Sequence, residues 1–201
     1  MNTGITDSGT FYVYNKKNQI SPMVFIHGVG LTHEIWQPQL DFFKDYSNLS
    51  YDILGHGKSS LIKEKISFDD FSDQLIELLN ELKIDKIHLI GFSIGSLIAR
   101  NFATKFNDRL KSLILLGSIY KRSEEQQKIV NSRFDQAKKE LKLSKQALKR
   151  WFTDEYLDKN PKTYEKISSI LSSNNMSNFL KVYELFVKHK NDEDFEKIKA
   201  N

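Results

Sequence analysis

The sequence predicts an α/β fold: a mostly parallel β-sheet with flanking helices, followed by an α-helical block. Three observations carry this. Short, nearly unbroken apolar runs at 22–27, 87–90 and 110–116 have the length and character of strands buried on both faces. Segments of helical periodicity alternate with them, and that alternation builds parallel sheets. From position 123 onward, strand patterning gives way to helical repeats alone.

In chain order, residues 10–14 (Thr-Phe-Tyr-Val-Tyr) read as a strand and 15–18 as a polar turn. The run 22–27 opens into Gly28-Val29-Gly30. A helix is predicted over 33–46, with Trp36, Leu40 and Phe43 on one side. Residues 49–52 form a short strand leading into a loop with Gly55, His56, Gly57, Lys58 and Ser59. Ser67 with Asp70 has the form of a capping box. It starts a helix whose apolar face carries Phe68, Phe71, Leu75, Leu78, Leu79 and Leu82. The strand at 87 and a helix reaching about Phe106 follow, then a strand over 110–116 that ends at Gly117.

Beyond Ser118 four helices are predicted. Ser123 and Gln126 cap the first, which carries Ile129, Phe134, Ala137 and Leu141. Leu148, Trp151, Phe152 and Tyr156 mark the second. Asn160-Pro161 opens the third, with Tyr164, Ile167 and Leu171. The fourth carries Met176, Phe179, Leu180, Tyr183 and Phe186. Most of these aromatics are packing residues, and the block reads as a lid over the strand ends.

Composition narrows the function. The chain has 201 residues, 39% hydrophobic and 28% charged, enough for one sizeable core. The net charge of +4 is spread as mixed Lys and Glu without a basic block, which argues against nucleic-acid and membrane partners. The absence of cysteine excludes disulfides, thiolate metal sites and a cysteine nucleophile, and suits a reducing compartment. No secretion signal is evident over residues 1–14 and no apolar run reaches membrane-spanning length, so the expected location is the cytoplasm.

The most informative stretch is Gly91-Phe92-Ser93-Ile94-Gly95 between the apolar strand and an apolar helical pattern. This is the sequence form of a nucleophile elbow. The bare pattern arises by chance in roughly one chain of this size in fifteen, so the flanking strand and helix carry the inference. To lift its hydroxyl clear of the sheet, Ser93 must adopt a strained backbone conformation enforced by its surroundings. Gly91 and Gly95 let strand and helix approach closely, and the helix from Ile94 aims free N–H groups at an anion beside the serine. The alternative is a serine in an ordinary strand-to-helix turn.

His27-Gly28-Val29-Gly30, then Asp52-x-x-Gly55-x-Gly57-x-Ser59, then Gly91-x-Ser93-x-Gly95 resembles the ordered motif set of the α/β-hydrolase superfamily. The likeness covers about the first 120 residues, and the helical block sits where that family inserts its cap. It implies a core over 1–118 and a helical cap over 119–199. Arg150-Trp151-Phe152-Thr153-Asp154-Glu155-Tyr156 with Asn160-Pro161 resembles the 3-oxoadipate enol-lactonase and cofactor-free haloperoxidase branch. The resemblance implies Ser93 as nucleophile and an oxyanion hole made by the backbone N–H groups of Val29 and Ile94. His27, Gly28, Gly30, Gly91 and Gly95 would be supporting positions, with His27 holding the oxyanion loop; Asp52 and His56 would shape the neighbouring loop. Trp36, Phe92, Trp151 and Phe152 are candidate pocket residues.

A serine of this kind needs a base and an acid to orient it, in the chain order Ser, acid, His. Neither place is filled. His27, His33 and His56 precede Ser93, His88 lies inside a strand, and His189 reads as a solvated surface residue in a lid helix. Gly117-Ser118-Ile119-Tyr120 offers no carboxylate. Two explanations compete: the chain is a piece of a longer hydrolase cut before its last strand–helix units, or a short protein that binds without catalysis. The first predicts an exposed sheet edge near Leu116.

Three functions stay open: hydrolysis of a small-molecule carboxylic ester or lactone, carbon–carbon bond hydrolysis or perhydrolysis on the same fold, and non-catalytic binding of a small molecule or partner. No metal or organic cofactor is implied, since every group required comes from the protein and no His/carboxylate set has ligand spacing. Haloalkane dehalogenation is disfavoured because the elbow residue would then be Asp. No motif encodes the oligomeric state.

Overall fold

In the computed structural model, which describes residues 2–17, 21–60, 63–140, 146–190 and 194–199, six strands form one sheet. They are β1 (Asn2–Ile5), β2 (Phe11–Asn15), β3 (Met23–Ile26), β4 (Asn48–Tyr51), β5 (Ile87–Phe92) and β6 (Leu110–Leu116). Their order across the sheet is β1-β2-β4-β3-β5-β6. Strands β4, β3, β5 and β6 are mutually parallel, while β1 and β2 pair antiparallel. The mostly parallel α/β architecture expected from the sequence is the one observed. Asn18, Leu141 and the side chain of Arg150, all used in the sequence reading, lie outside the described residues.

Strand β1 left no apolar signal because it is an edge strand with little to bury: its residues are exposed apart from half-buried Gly4. Its hairpin with β2 is closed by Thr6 and Thr10, with Gly9 at φ 84°. The helix predicted over 33–46 is shorter than expected. A 3-10 turn at His33–Trp36 leads into α1 (Gln37–Phe42), which stops at Phe43. The carbonyls of Phe43, Lys44 and Tyr46 are taken by the side-chain amides of Asn15 and Asn48, which hold the 43–46 segment as a turn.

Two helices cover one face of the sheet, α2 (Phe68–Glu81) and α3 (Ile94–Lys105). Ser67 precedes α2, and the Asp70 carboxylate accepts from its N–H (2.7 Å) and its hydroxyl (2.8 Å). Phe71, Leu75, Leu78 and Leu79 of α2 are fully buried against Val24, Ile26, Leu49 and Leu89 of the sheet. Each such side chain contributes about 1.5–3 kcal/mol. On the opposite face Phe25 and Ile90 meet Trp36 and Leu40. That alternation along β3 is why its sequence is apolar without a period. Strand β6 is the last in the sheet among the described residues, and its Ile114 and Leu116 are 46% and 41% exposed.

Helices follow β6: α4 (Glu124–Glu140), α5 (Gln146–Trp151), α6 (Asp154–Lys159), α7 (Pro161–Ser172), α8 (Met176–Lys188) and α9 (Asp194–Lys197). Ser123 and Gln126 cap α4 reciprocally. The second predicted helix is two, because Thr153 caps α6 through a bond from the Tyr156 N–H and interrupts the run. Leu148, Leu157, Ile167, Ile170 and Leu171 form a small core with Leu31 of the loop after β3. Val182 of α8 joins the main core instead. Arg122 fastens α8, donating to the carbonyls of Phe186, Val187 and His189.

Candidate active site

Strand β5 brings the chain to Ser93, and α3 begins at the next residue. Ser93 takes φ 56° and ψ −120°, a region L-residues avoid. Holding a residue there costs about 1–3 kcal/mol, so its surroundings must over-determine it. They do. The Ser93 N–H donates to the Leu116 carbonyl on β6 (2.9 Å), and the Ser93 carbonyl accepts from the N–H (2.9 Å) and hydroxyl (2.5 Å) of Ser96. A Cβ at Gly95 would lie 2.6 Å from the Ile26 carbonyl oxygen and 2.7 Å from that of His27; one at Gly91 would run into the Gly95 carbonyl. Helix α3 therefore rests by its backbone on β3 and β5.

The loop leaving β3 passes beside this corner. A Cβ at Gly28 would stand 3.3 Å from Ser93 Cβ. The Gly30 N–H donates to His56 Nε2 (2.9 Å) and the Leu31 N–H to the Gly28 carbonyl (3.2 Å). Among the described residues, the N–H groups of Val29 and Ile94 donate to nothing. Two main-chain donors from separate crossovers are thus left open beside one serine.

Two buried imidazoles set this loop. His27 donates from Nδ1 to the Gly28 carbonyl (2.8 Å), and its Nε2 accepts from the Ile53 N–H (3.1 Å). His56 accepts at Nε2 from Gly30 and donates from Nδ1 to the Leu54 carbonyl (3.2 Å). Because a backbone N–H can only donate, both rings are neutral Nδ1–H tautomers. Burial pushes His27 down to about 4 and His56 down to about 3. Asp52 is also fully buried. Its Oδ1 accepts from the N–H and Nδ1 of His33 (both 2.8 Å) and its Oδ2 from the Lys58 N–H (2.9 Å). Burial works to raise its carboxyl, but these bonds and the nearby imidazoles hold it below the ordinary carboxylate range.

The remaining histidines are placed as firmly. His88 bonds Ser112 Oγ across β5 and β6 (2.8 Å), and His189 packs edge-on against Phe68. The role the sequence left blank, that of His33, is to clamp Asp52. Among the described residues the Ser93 hydroxyl has no hydrogen-bond partner, and none of these imidazoles bonds to it. No group of three or more His, Cys, Asp or Glu among the described residues could hold a metal.

The four candidate pocket residues come together. Trp36, Phe92, Trp151 and Phe152 all line one cavity of about 640 Å³ between the loop after β3, the ends of β5 and β6, and helices α5–α7. Phe152 and Tyr156 stack in it at 5.3 Å with their planes 10° apart. The cavity adjoins the corner through Phe92, the residue before Ser93, and Leu116, whose carbonyl Ser93 holds. Thr163, Lys166 and Ile167 also line it. Lys166 was missed by sequence reasoning; its spacing of three from Thr163, which also lines the cavity, puts the two on one side of α7.

Comparison with known proteins agrees with this fold. A family model described as alpha/beta hydrolase fold matches residues 21–181. The (E)-2-((N-methylformamido)methylene)succinate hydrolase of Acinetobacter baylyi is 32% identical over 174 residues, 86% of this chain and 65% of its own. The 3-oxoadipate enol-lactonase 2 of the same organism is 28% identical over 151 residues, 75% of this chain and 57% of its own. The chain therefore spans less than two thirds of either relative. A hydrolase from Pseudomonas aeruginosa superposes with a TM-score of 0.83 over 99% of this chain and 77% of its own at 18% identity, a likeness of fold. No helix among the described residues is long and apolar enough to cross a membrane.

Proposed function

The chain belongs to the α/β-hydrolase fold family, and from that premise we propose that the protein hydrolyses a small-molecule carboxylic ester or lactone, with Ser93 as nucleophile. Ser93 Oγ attacks the carbonyl carbon while a base takes its proton. The oxygen that gains charge accepts from the N–H groups of Val29 and Ile94. Collapse of this adduct expels the alkoxide, which takes that proton, and water releases the acyl group from Ser93 by the same steps. Each oxyanion donor is worth about 3–4 kcal/mol in comparable enzymes, because it acts on charge present only in the transition state. The helices over 119–199 serve as the lid that shapes the pocket.

The observation that carries this reading is the Ser93 corner: φ 56° in a non-glycine residue, beside two main-chain donors with no acceptor among the described residues. Strain and open donors together are expected of a site built for a transient anion. No described residue supplies a base or its acid to Ser93, so the reading requires both from groups that the described residues do not include. Without them the residual rate is expected to be about 10³–10⁴ over the uncatalysed reaction, with about 10⁶ lost in kcat.

A second reading, binding without catalysis, is favoured by one fact: the Ser93 hydroxyl has no partner among the described residues. A fluorophosphonate probe on the full-length gene product separates the two. Labelling that disappears in Ser93→Ala supports the hydrolase; an unlabelled full-length protein removes it. A substrate panel on the same protein would separate ester or lactone hydrolysis from carbon–carbon cleavage and perhydrolysis.

A further inference from the structure

We propose that the cavity between the corner and α5–α7 selects ligands carrying a carboxylate, and that Lys166 is the residue that reads it. As a statement about substrates this rests on the hydrolase reading; as a statement about binding it does not.

The cavity is apolar for most of its wall. Trp36, Phe92, Leu116, Trp151 and Phe152 all contribute to it. An apolar pocket with few polar groups is the usual form of a small-molecule site, and those few groups set orientation. Here two charged side chains line the wall, Lys166 and Glu34. Glu34 is exposed on the 3-10 turn, where water screens it. Lys166 is half-buried and lines the cavity together with Trp151, Phe152 and Tyr156. It forms no ion pair or hydrogen bond with any described residue, although six other lysines of the chain do pair with carboxylates.

A cation on an otherwise apolar wall, with no carboxylate paired to it among the described residues, is placed to pair with a carboxylate brought by a ligand. A substrate that both reaches Ser93 and fills this cavity would be ordered along it. Its reacting carbonyl would lie at the corner beside Ser93, next to Phe92. A flat or apolar middle rests on the stacked Phe152 and Tyr156 rings. The carboxylate reaches Lys166 on α7. A neutral ester of the same shape would fill the apolar wall and leave the ammonium unpaired.

The chain itself supplies the reporter. Its two tryptophans, Trp36 and Trp151, both line this cavity, so intrinsic fluorescence reads occupancy directly. The experiment titrates the 201-residue chain carrying Ser93→Ala with 4-phenylbutyrate and with its neutral isostere 4-phenylbutyramide. The carboxylate is expected to bind about tenfold more tightly than the amide, as for one charge-assisted contact. Lys166→Met should bring the ratio close to one, and Lys166→Arg should keep most of it. Equal affinities in the parent chain, or a ratio that survives Lys166→Met, would overturn the assignment of Lys166. No fluorescence response to either ligand would overturn the cavity as a binding site. The parent-chain comparison needs no Lys166 variant, so a misfolded mutant cannot obscure the answer. Because the hydrolase reading is decided by phosphonate labelling of Ser93, either proposal can fail while the other stands.

Discussion

Substituting Gly95 tests whether backbone-on-backbone packing holds the corner in shape. In Gly95→Ala the new methyl would lie 2.6 Å from the Ile26 oxygen, 2.7 Å from the His27 oxygen and 3.0 Å from the Ile26 carbonyl carbon. These atoms belong to strand backbone, so relief requires α3 to lift off β3 by several tenths of an ångström. Overpacking of this kind costs about 1–3 kcal/mol, against a gain of at most about 1 kcal/mol from alanine's helix propensity. The net loss expected is about 1–2 kcal/mol, a fall in Tm of roughly 2–8 °C for a chain of this size. Gly28→Ala is the control. Its nearest neighbours are the Phe92 ring (3.2 and 3.3 Å) and Ser93 Cβ (3.3 Å), side-chain atoms that can give, and Gly28 has no positive φ. Its midpoint should stay within roughly 2 °C of the parent. Urea or thermal melts of the three proteins by circular dichroism decide it. An unchanged midpoint in Gly95→Ala, or equal losses in both variants, would refute the packing account.

Other consequences follow from the same site. Ser93→Gly should be more stable than Ser93→Ala by about 1 kcal/mol, since glycine relieves the positive φ and alanine does not; urea midpoints test this, and the reverse order counts against strain at residue 93. Stability should fall on acidification. His27 and His56 are held neutral, near 4 and 3, while an unfolded histidine titrates near 6.5, so below 6.5 the unfolded chain binds more protons. The loss continues to about pH 4 for His27 and pH 3 for His56, at up to about 1.4 kcal/mol per pH unit for each ring. A urea midpoint that is flat between pH 6.5 and 4.5 would contradict it. Tyr51→Phe should be neutral or stabilising by up to about 1–2 kcal/mol, because the buried Tyr51 hydroxyl has no partner among the described residues. A clear loss of stability would mean that the hydroxyl is satisfied.

What the sequence made legible depends on how locally each feature is encoded. The central strands, α2 and α3 carry their burial in their own residues: Val24, Ile26 and Leu89 are apolar because they are inside. The corner was legible because its requirements fall within five residues, and no residue but glycine fits at 91 and 95. Strand β1 was invisible because an exposed edge strand imposes no apolar pattern. The end of α1 is set by Asn15 and Asn48, whose amides hold the turn after it from β2 and β4. The His33–Asp52 clamp joins residues 19 apart in sequence, and no local pattern announces it. Lys166 carried no signal in the sequence, because what distinguishes it is the company of Trp151 and Phe152, about fifteen residues earlier in the chain.

The buried histidines explain how a strained serine and two idle donors can persist in one place. Left to itself, the loop after β3 would turn the Val29 N–H toward any nearby carbonyl, since an unpaired buried donor is costly. It cannot, because both sides of the donor are already fixed. His27 holds the Gly28 carbonyl from within, and His56 takes the Gly30 N–H from the neighbouring loop. Those rings are in turn anchored to the backbone of Ile53 and Leu54, beside Asp52, which is locked by His33 and Lys58. The donor beside Ser93 is therefore kept open by bonds made one residue to each side of it. Protonating either ring removes its acceptor nitrogen, so acid should disorganise the oxyanion loop as it lowers global stability. Catalysis by the complete protein would then fall in step with the urea midpoint rather than with the titration of a lone catalytic base.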